Sequence, residues 1–330
     1  MTELRNGEGL SLVTSAATKG LRYVLILWQS NGTGGSDSMI TGLIIQMVVI
    51  LLPVCALLGA ALLHRANRER KKIRRPVSEK LLRPPGETLR RKLEELDERL
   101  FLFSSMLLTS TSVAGVMANQ ELAHSRSIEA VAYHPGVLLL IFISFYSIWK
   151  MFRLLKRRIA FLLGLSGELA VGEELNKLML DGCRVFHDFP GGDDWNIDHI
   201  IVAPGGVFAV ETKARSKRAL LKDQPDHKVE YNGEILIFPD GWTAKPLNQA
   251  ERNALQLAIF LKKATGEESP VIPVVVLPGW YVTAKPNTRT KVFNPKMVRK
   301  LVVESRPVIS AAQMQRICFQ IEQKCRDVEF

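Results

Sequence analysis

The first half of the chain contains long uninterrupted apolar runs, whereas the second half alternates between short apolar and polar segments. The run at 39–63 carries no charge, and a membrane-spanning helix needs about 20 apolar residues. A buried core helix is the alternative, but few soluble helices stay uncharged over such a length. Apolar runs at 101–119 and 137–155 predict two further spans. We therefore predict a polar N-terminal tail over 1–38 and a membrane region with three spans over 39–160.

Basic residues beside the apolar runs predict the orientation of the chain in the membrane. They follow the first run at Arg65, Arg68, Arg70, Lys71, Lys72, Arg74 and Arg75, and the third run at Lys150, Arg153, Lys156, Arg157 and Arg158. Cytoplasmic loops carry the excess of lysine and arginine. We therefore expect 65–100 and all residues beyond 150 on the cytoplasmic side of a bacterial inner membrane, with the N-terminal tail and 119–136 outside.

A regular leucine spacing marks one segment of the first basic loop. Leu89, Leu93, Leu96 and Leu100 recur at intervals of three and four residues, which predicts a helix over 87–100. A solvated helix and a membrane-surface helix both fit its charged side.

Short elements of both types begin at about residue 161 and predict an α/β domain. In chain order they are a helix at 167–179, strands at 183–187, 196–202 and 207–210, a two-residue hairpin at Tyr231-Asn-Gly-Glu234, a helix at 247–263 and a strand at 271–277. The apolar stripe predicted for the first helix comprises Leu169, Gly172, Leu175 and Met179. A later amphipathic helix at 311–324 should pack on this domain or on a partner.

The overall composition narrows the class of partner. The 330 residues carry a formal net charge of +11, which points to an anionic partner such as phospholipid head groups or nucleic acid. The four cysteines are too few and too scattered for a disulfide scaffold or a cysteine-rich zinc site, so a reducing compartment is expected.

Three charged residues interrupt the apolar strands of the α/β domain. Asp198 lies in the middle of one strand, while Glu211 and Lys213 end the next and point to one face of it. Two carboxylates beside an ammonium suit a hard divalent cation such as Mg²⁺, which takes one or two carboxylates and keeps several waters. A buried ion pair between Lys213 and either carboxylate is the alternative.

The order of these segments resembles the nuclease-related domain (NERD) family. The segments that carry the resemblance are Gly167-Glu168, Asn196-Ile-Asp-His-Ile-Ile-Val202 and Gly206-Val-Phe-Ala-Val-Glu-Thr-Lys213. The family is grouped with the PD-(D/E)XK nuclease superfamily, so the resemblance implies an α/β fold with a mixed sheet flanked by helices, preceded here by an all-α transmembrane region. It covers roughly 165–280, which gives a nuclease-like domain over 161–280 and a C-terminal extension with the amphipathic helix over 281–330.

The resemblance also implies a metal-dependent phosphodiesterase that acts on DNA or RNA. The catalytic residues that it implies are Glu168, Asp198, Glu211, Lys213 and Gln249. Asp198 and Glu211 would bind Mg²⁺, with Mn²⁺ as an alternative and the carbonyl of Thr212 as a further ligand.

The remaining residues of this implied site have supporting roles. Lys213 would position the attacking water, and Glu168 would support it or bind a second metal. Gln249 begins the following helix and would help to position the site. His199 is adjacent to Asp198 but points to the opposite face of the strand, so we interpret it as a structural or supporting residue.

A basic run follows the site directly and comprises Arg215, Lys217, Arg218 and Lys222. A phosphate-binding rim for nucleic acid and an ordinary solvated loop fit this run equally well. Trp195 and Trp242 are candidates for stacking on bases, but core packing is the expected role of single aromatic residues.

Two functions from different classes remain open on the sequence. The leading hypothesis is a membrane-anchored nuclease that faces the cytoplasm, with nucleic acid and the lipid bilayer as partners. The alternative is a non-catalytic membrane protein that keeps the nuclease fold and binds nucleic acid or another partner. The intact carboxylate pair favours the enzyme, since a pure phosphate binder would gain affinity by losing two negative charges.

Overall fold

A computed structural model of the protein describes residues 79–192, 195–217 and 227–328. The predicted tail and the predicted first span at 39–63 lie outside these residues. The described chain divides into two compact units, of which one contains residues 103–150 and the other contains residues 79–102 and 151–328. The domain boundaries given above stay a prediction.

Three helices follow a short strand at Leu81–Leu82: α1 (Glu87–Ser125), α2 (Ile128–Tyr133) and α3 (Pro135–Asn176). α1 joins the predicted helix at 87–100 to the predicted span at 101–119, and α3 joins the predicted span at 137–155 to most of the predicted helix at 167–179. A proline inside a helix would break or kink it, and the only proline in these two helices is Pro135, the first residue of α3. Each helix therefore continues through the boundary between its two predicted segments. Each apolar segment is therefore part of a longer helix than the sequence predicted.

Two helices among the described residues are long and apolar enough to cross a membrane by length and composition: Glu87–Ser125 and Pro135–Asp181, the latter with its terminal 3₁₀ turn. Their most apolar windows have a mean hydropathy of 1.7 and are only 17% buried. Within residues 103–150, the hydroxyls of Ser110 and Ser144 form a hydrogen bond of 2.8 Å. Hydrogen bonds between small hydroxyl side chains are one way in which helices associate in membranes.

The other unit contains the strands. In chain order these are β1 (Leu81–Leu82), β2 (Arg184–Pro190), β3 (Asn196–Ala203), β4 (Gly206–Thr212), β5 (Lys228–Tyr231), β6 (Leu236–Phe238), β7 (Gly241–Thr243), β8 (Val271–Val276), β9 (Tyr281–Ala284), β10 (Lys291–Phe293) and β11 (Arg326–Val328). Its later helices are α4 (Lys245–Thr265), α5 (Val298–Val303) and α6 (Ala311–Cys325), with 3₁₀ turns at Lys177–Asp181 and Pro295–Met297.

The central sheet has five strands in the order β10-β8-β4-β3-β2. β2, β3 and β4 pair antiparallel, whereas β8 lies parallel to β4 and β10 lies parallel to β8. A parallel pair needs a long crossover connection, and α4 lies in the one between β4 and β8. This mixed sheet with flanking helices confirms the predicted fold class.

Helices cover both faces of the central sheet. One face packs against α4 and α6 through a core that includes Ile200, Val202, Val207, Ala209, Leu257, Leu261, Ile317 and Ile321. The opposite face packs against the end of α3 and against α5 through a core that includes Val171, Leu175, Ile201, Phe208, Val210, Val298 and Val302. β3 and β4 are therefore buried on both faces, which explains why their sequences are continuous apolar runs.

The predicted apolar stripe of the helix at 167–179 is wrong at two of its positions. Leu169 is 38% exposed and Met179 is 47% exposed, whereas Val171, Leu175 and Leu178 are buried. Two features shift the contact. The helix changes to a 3₁₀ turn after Asn176, and it approaches its neighbours through glycines, because a Cβ at Gly172 would lie 2.5 Å from Pro85.

A smaller sheet, in the order β7-β6-β5-β9, covers the start of α4 and the end of β8. The predicted two-residue hairpin is wrong in its length, because Tyr231 pairs with Leu236 and leaves four residues in the loop. The Asn232 side chain accepts hydrogen bonds from the backbone N–H groups of Glu234 and Ile235, and this closes the longer turn.

Candidate active site

The two predicted metal-binding carboxylates lie side by side in the central sheet. His199 pairs with Val210 across β3 and β4, and this antiparallel register places Asp198 beside Glu211 on one face. Both side chains are buried, with exposures of 6% and 5%. The backbone N–H of Thr212 donates a 2.7 Å hydrogen bond to Asp198 Oδ2. The structure therefore brings together the carboxylates that the sequence spacing predicted.

Glu168 contributes a third buried carboxylate from α3. Burial, together with the negative charges of Asp198 and Asp188, raises its pKa to about 9, and a hydrogen bond from the Gly86 N–H opposes the shift. Its Oε2 atom is buried and has no hydrogen-bond partner among the described residues. Glu168 therefore holds an unsatisfied acceptor in the region where Asp198 and Glu211 meet.

Burial also dominates the ionisation of the carboxylate pair. It raises the pKa of Asp198 to about 7, against the lowering effect of the Thr212 N–H and of the Lys213 charge. It raises the pKa of Glu211 well above its usual value, and the nearby charges of Asp198 and Glu168 act in the same direction. The three acids therefore compete for ionisation, and a positive charge placed among them would favour the ionised form of each.

Lys213 directly follows the last residue of β4 and is exposed to solvent. It therefore does not form the buried ion pair that was the alternative interpretation of the Glu-x-Lys pattern. Its charge still acts on the site, because it lowers the pKa of both Asp198 and Glu211. An exposed ammonium beside buried carboxylates is accessible to a substrate.

The helix residue that contacts the carboxylates is Asn253 rather than the predicted Gln249. Asn253 Nδ2 donates hydrogen bonds to the Asn196 carbonyl at 3.1 Å and to Glu211 Oε2 at 3.4 Å. Gln249 lies one turn earlier on α4 and is only partly buried. The sequence did hold a signal for Asn253, because it is a single amide on the apolar stripe of α4 beside Ala254.

On the opposite face of β3, four side chains form a continuous line of hydrogen bonds. His199 Nε2 bonds the Thr212 hydroxyl at 3.1 Å, and His199 Nδ1 bonds His187 Nδ1 at 2.8 Å. His187 Nε2 in turn bonds the Asn176 side chain at 2.9 Å. Burial lowers the pKa of His187 to about 4 and lowers the pKa of His199 well below its usual value, so both rings are neutral at pH 7. This arrangement agrees with the structural interpretation of His199.

The predicted basic rim is only partly described. Arg215 pairs with Asp240 at 2.6 Å and stacks over the Phe238 ring at 4.3 Å, so its guanidinium is held by the protein. Lys217 is exposed, with its ammonium 5.7 Å from the centre of the Trp280 ring. Two further members of the rim, Arg218 and Lys222, lie outside the described residues.

The two tryptophans that the sequence singled out have different environments. Trp195 is partly buried and packs against Phe189, as expected for a core residue. Trp242 is 70% exposed, so its predicted core packing is wrong. It lies on β7, a three-residue strand at the edge of the smaller sheet, where it pairs with the exposed Ile237 on the outer face.

The carboxylates offer the hard oxygen ligands that Mg²⁺ prefers. No group of three or more histidine, cysteine or acidic side chains within the described residues is already arranged to hold a metal ion. Mg²⁺ takes only one or two protein carboxylates, however, and the adjacent pair Asp198 and Glu211 supplies that number. The unpartnered Oε2 of Glu168 is a further acceptor in the same region. The donor set therefore fits a hydrated divalent cation.

A comparison with known families adds an independent finding. Residues 163–278 match the nuclease-related domain (NERD) family. This match confirms the resemblance seen in the sequence, and it includes Glu168, Asp198, Glu211, Lys213 and Asn253. No curated protein and no solved structure matches the chain at a significant level.

Proposed function

Residues 163–278 form a nuclease-related domain, and on this premise we propose that the protein is a metal-dependent nuclease that hydrolyses phosphodiester bonds of DNA or RNA. The observation that supports this proposal most strongly is the adjacent buried pair Asp198 and Glu211, on which the buried Glu168 acts electrostatically, beside the exposed ammonium of Lys213. Burying carboxylates so close together is costly unless a cation compensates their charge. An arrangement of this cost is typical of a functional site.

The residues around the carboxylates have distinct roles in this proposal. Asp198 and Glu211 hold the cation, with the Thr212 carbonyl as a further ligand, and the cation supplies Lewis-acid stabilisation of the charge that builds on the phosphate oxygens. The Thr212 N–H fixes the carboxylate of Asp198, and the Asn253 amide fixes that of Glu211. These hydrogen bonds orient the ligands before substrate arrives.

Lys213 and Glu168 act on the substrate side of the proposed site. The Lys213 ammonium orients the attacking water and offsets negative charge on the phosphate. Glu168 is protonated at neutral pH when no cation is near, since its pKa is about 9. With its pKa lowered, the Glu168 carboxylate would accept a proton of the attacking water.

The proposal extends to the membrane. The two candidate spans support an anchored protein, and the basic residues at 65–75 and 150–158 support a cytoplasmic position for the nuclease-related domain. Reporters fused after residues 85 and 330 should lie on the cytoplasmic side of the membrane, and a reporter fused after residue 128 should lie on the outer side. An outside signal at residue 330 would contradict an enzyme that meets intracellular nucleic acid.

A cleavage assay tests the catalytic proposal directly. The full-length protein, purified in lipid nanodiscs, is incubated with single-stranded and duplex DNA and RNA in Mg²⁺, Mn²⁺ or EDTA. We expect cleavage in the presence of a divalent cation, none in EDTA, and none by Glu211→Gln, which cannot place a full negative charge at the cation. Cleavage that persists in EDTA would contradict the proposal. Binding without cleavage would support the non-catalytic alternative.

A further inference from the structure

The segment that precedes α1 belongs to the same compact unit as the candidate active site, although it lies outside the residues that match the nuclease-related family. Its first residues form β1, which pairs antiparallel with β11. Next to this pair, the Arg83 guanidinium donates a 2.7 Å hydrogen bond to Asp327. The segment before α1 is therefore held to β11, the last strand of the unit in the sequence.

A second fastening point lies closer to the carboxylates. Asp188 on β2 is fully buried and has a φ of +48°, a conformation that a non-glycine residue adopts only under constraint. Its carboxylate accepts hydrogen bonds from the Thr88 N–H at 2.5 Å, from the Thr88 hydroxyl, from Asn196 at 2.9 Å and from Arg83 at 3.4 Å. Since Asn196 begins β3, one buried carboxylate joins the start of α1 to the strand that carries Asp198.

Gly86 makes the closest approach of this segment to the site. Its N–H donates a hydrogen bond to the Glu168 carboxylate. It has a φ of +75°, and a Cβ added to it would lie 2.3 Å from Leu165 on α3. An L side chain is strained at this φ, so glycine is favoured where the segment meets Glu168.

Lys92 lies one turn after Thr88 on the same side of α1 and is exposed. Thr88 bonds the buried Asp188 on this side of the helix, and the positive charge of Lys92 acts on both Glu168 and Asp198. Arg90 is also exposed, but it lies two residues from Thr88 and therefore on a different side of the helix. Lys92 is thus an ammonium that acts on the carboxylates from a part of the chain outside the residues that match the nuclease-related family.

We propose that residues 83–92 form a wall of the active site and that Lys92 on this wall binds a phosphate of the nucleic-acid backbone. This inference rests on the proposed function for its ligand. An ammonium is a suitable phosphate contact because it carries a full charge and three donors. A phosphate bound between Lys92 and Lys213 would lie against the carboxylates on which both charges act.

The test measures binding and cleavage by the full-length protein in phosphatidylcholine nanodiscs, whose lipid has no net charge to compete with nucleic acid. Binding of a fluorescein-labelled single strand and of its duplex is followed by anisotropy in EDTA over a range of salt concentrations. The variants are Lys92→Gln, Lys92→Arg and the matched control Arg90→Gln, which removes the same charge from the same helix.

We expect Lys92→Gln to bind about tenfold more weakly than wild type and to lower the log–log salt slope by about 0.7–0.9, the value for one lost phosphate contact. Lys92→Arg should restore most of both quantities, and Arg90→Gln should match wild type. In Mg²⁺, Lys92→Gln should raise KM more than it lowers kcat, as expected for a residue that binds substrate.

Equal affinity and equal salt slope for Lys92→Gln and Arg90→Gln would overturn the inference. A wild-type protein that binds nucleic acid but does not cleave it would refute the proposed hydrolase and leave the Lys92 comparison decisive. A wild-type protein that binds neither strand nor duplex would refute both.

Discussion

Asp198 and His199 are neighbours in sequence, yet the two faces of β3 on which they lie follow opposite rules. On the Asp198 side, burial and neighbouring negative charges oppose the ionisation of Asp198 and Glu211, and Glu168, which acts on Glu211 from α3, has an oxygen without a partner among the described residues. On the His199 side, two neutral rings, an amide and the Thr212 hydroxyl form an unbroken chain of hydrogen bonds. In the part of the chain that the structure describes, the acids lack a compensating positive charge in their buried surroundings, whereas the polar groups on the His199 face are hydrogen-bonded to one another.

The difference distinguishes residues that stabilise the fold from residues whose charge or hydrogen-bonding capacity is left for a ligand. A buried polar group normally has its hydrogen-bond partners in the protein, and an exception calls for a reason. The histidine chain needs nothing more than the folded protein supplies. The carboxylate face violates the rule in the way expected of a functional site, where local stability is given up for chemistry. Four predictions test this contrast.

The largest expected effect is on catalysis and comes from the carboxylate face. Asp198→Asn should reduce cleavage by about a hundredfold or more, because it removes a full charge from the cation site. Its melting temperature should equal or exceed that of wild type in EDTA, because the amide oxygen still accepts the Thr212 N–H and the repulsion among the acids is relieved. Mg²⁺ should stabilise wild type but not the variant.

Asp181→Asn is the matched control for this experiment, since Asp181 pairs with Arg299 at the surface of the same unit. It should leave cleavage unchanged. If Asp198→Asn instead melts far below wild type and Mg²⁺ stabilises neither protein, the carboxylate face is structural and the contrast between the two faces fails.

The histidine face should show the opposite pattern. His199 is fully buried, so His199→Ala removes packing and the hydrogen bonds to the Thr212 hydroxyl and to His187 Nδ1. We expect a loss of about 2–4 kcal/mol in the free energy of unfolding, with less effect on cleavage per folded molecule than Asp198→Asn has. Urea denaturation measures the first quantity, and His227→Ala, at an exposed position, is the control. Complete loss of cleavage in a stable variant would move His199 into the catalytic machinery.

The two faces should also respond to pH in opposite directions. The native carboxylates keep their protons up to pH values of about 7 for Asp198 and about 9 for Glu168, whereas the unfolded chain releases them near pH 4. The contribution of these acids to stability in EDTA should therefore fall as pH rises, from about pH 4 to about pH 7 for Asp198 and to about pH 9 for Glu168, by up to about 1.4 kcal/mol per pH unit for each acid that stays protonated. Between pH 6.5 and pH 9 the histidines do not oppose this fall. Mg²⁺ or Glu168→Gln should reduce this slope.

The histidines act at lower pH. Unfolded histidine takes up a proton near pH 6.5, whereas native His187 takes one only near pH 4. Their contribution to stability is complete above pH 6.5 and should be lost as pH falls towards 4. Urea midpoints between pH 4 and pH 9 measure both branches. An alkaline slope that is identical in EDTA and in Mg²⁺ would argue against a cation at the carboxylates.

The smallest expected effect lies outside both faces, on the basic rim. Lys217→Ala should leave stability and metal dependence unchanged and should lower the log–log salt slope of nucleic-acid binding by about 0.7–0.9 if it loses one phosphate contact. Lys263→Ala, at an exposed position in the last turn of α4, is the control. An unchanged slope for Lys217→Ala would make this stretch ordinary solvated surface.

The sequence predicted the two acids that lie side by side in the sheet, and the family resemblance added Glu168 on α3, but Asn253 and Gly86 were missed. Alternation along β3 and β4 was enough to pair Asp198 with Glu211, because side-chain direction in a strand follows from period two. Asn253 was missed in favour of Gln249, since the phase of α4 against the sheet decides which amide faces inward. The choice between the two required the packing of Ala254 and its neighbours.

Long-range contacts were beyond the reach of local patterns. The sequence gives no sign that Gly86 meets Glu168, because 82 residues separate them in the chain and no periodicity spans that distance. The lengths of α1 and α3 were missed for another reason. Each helix joins a charged stretch of sequence to an apolar one. This change in composition was interpreted as a boundary between two elements, although neither helix has a proline there.

The pairing of β1 with β11 has a consequence for biosynthesis. Arg83 leaves the ribosome 244 residues before Asp327, its partner beside that strand pair. Contacts of such separation form late, because closing a long loop costs entropy before the contact rewards it. The apolar helices are therefore synthesised, and available to the insertion machinery, well before Asp327 exists. The fastening of Arg83 to Asp327 can therefore form only after all the strands of the central sheet have been synthesised, later than the contact of Thr88 with Asp188.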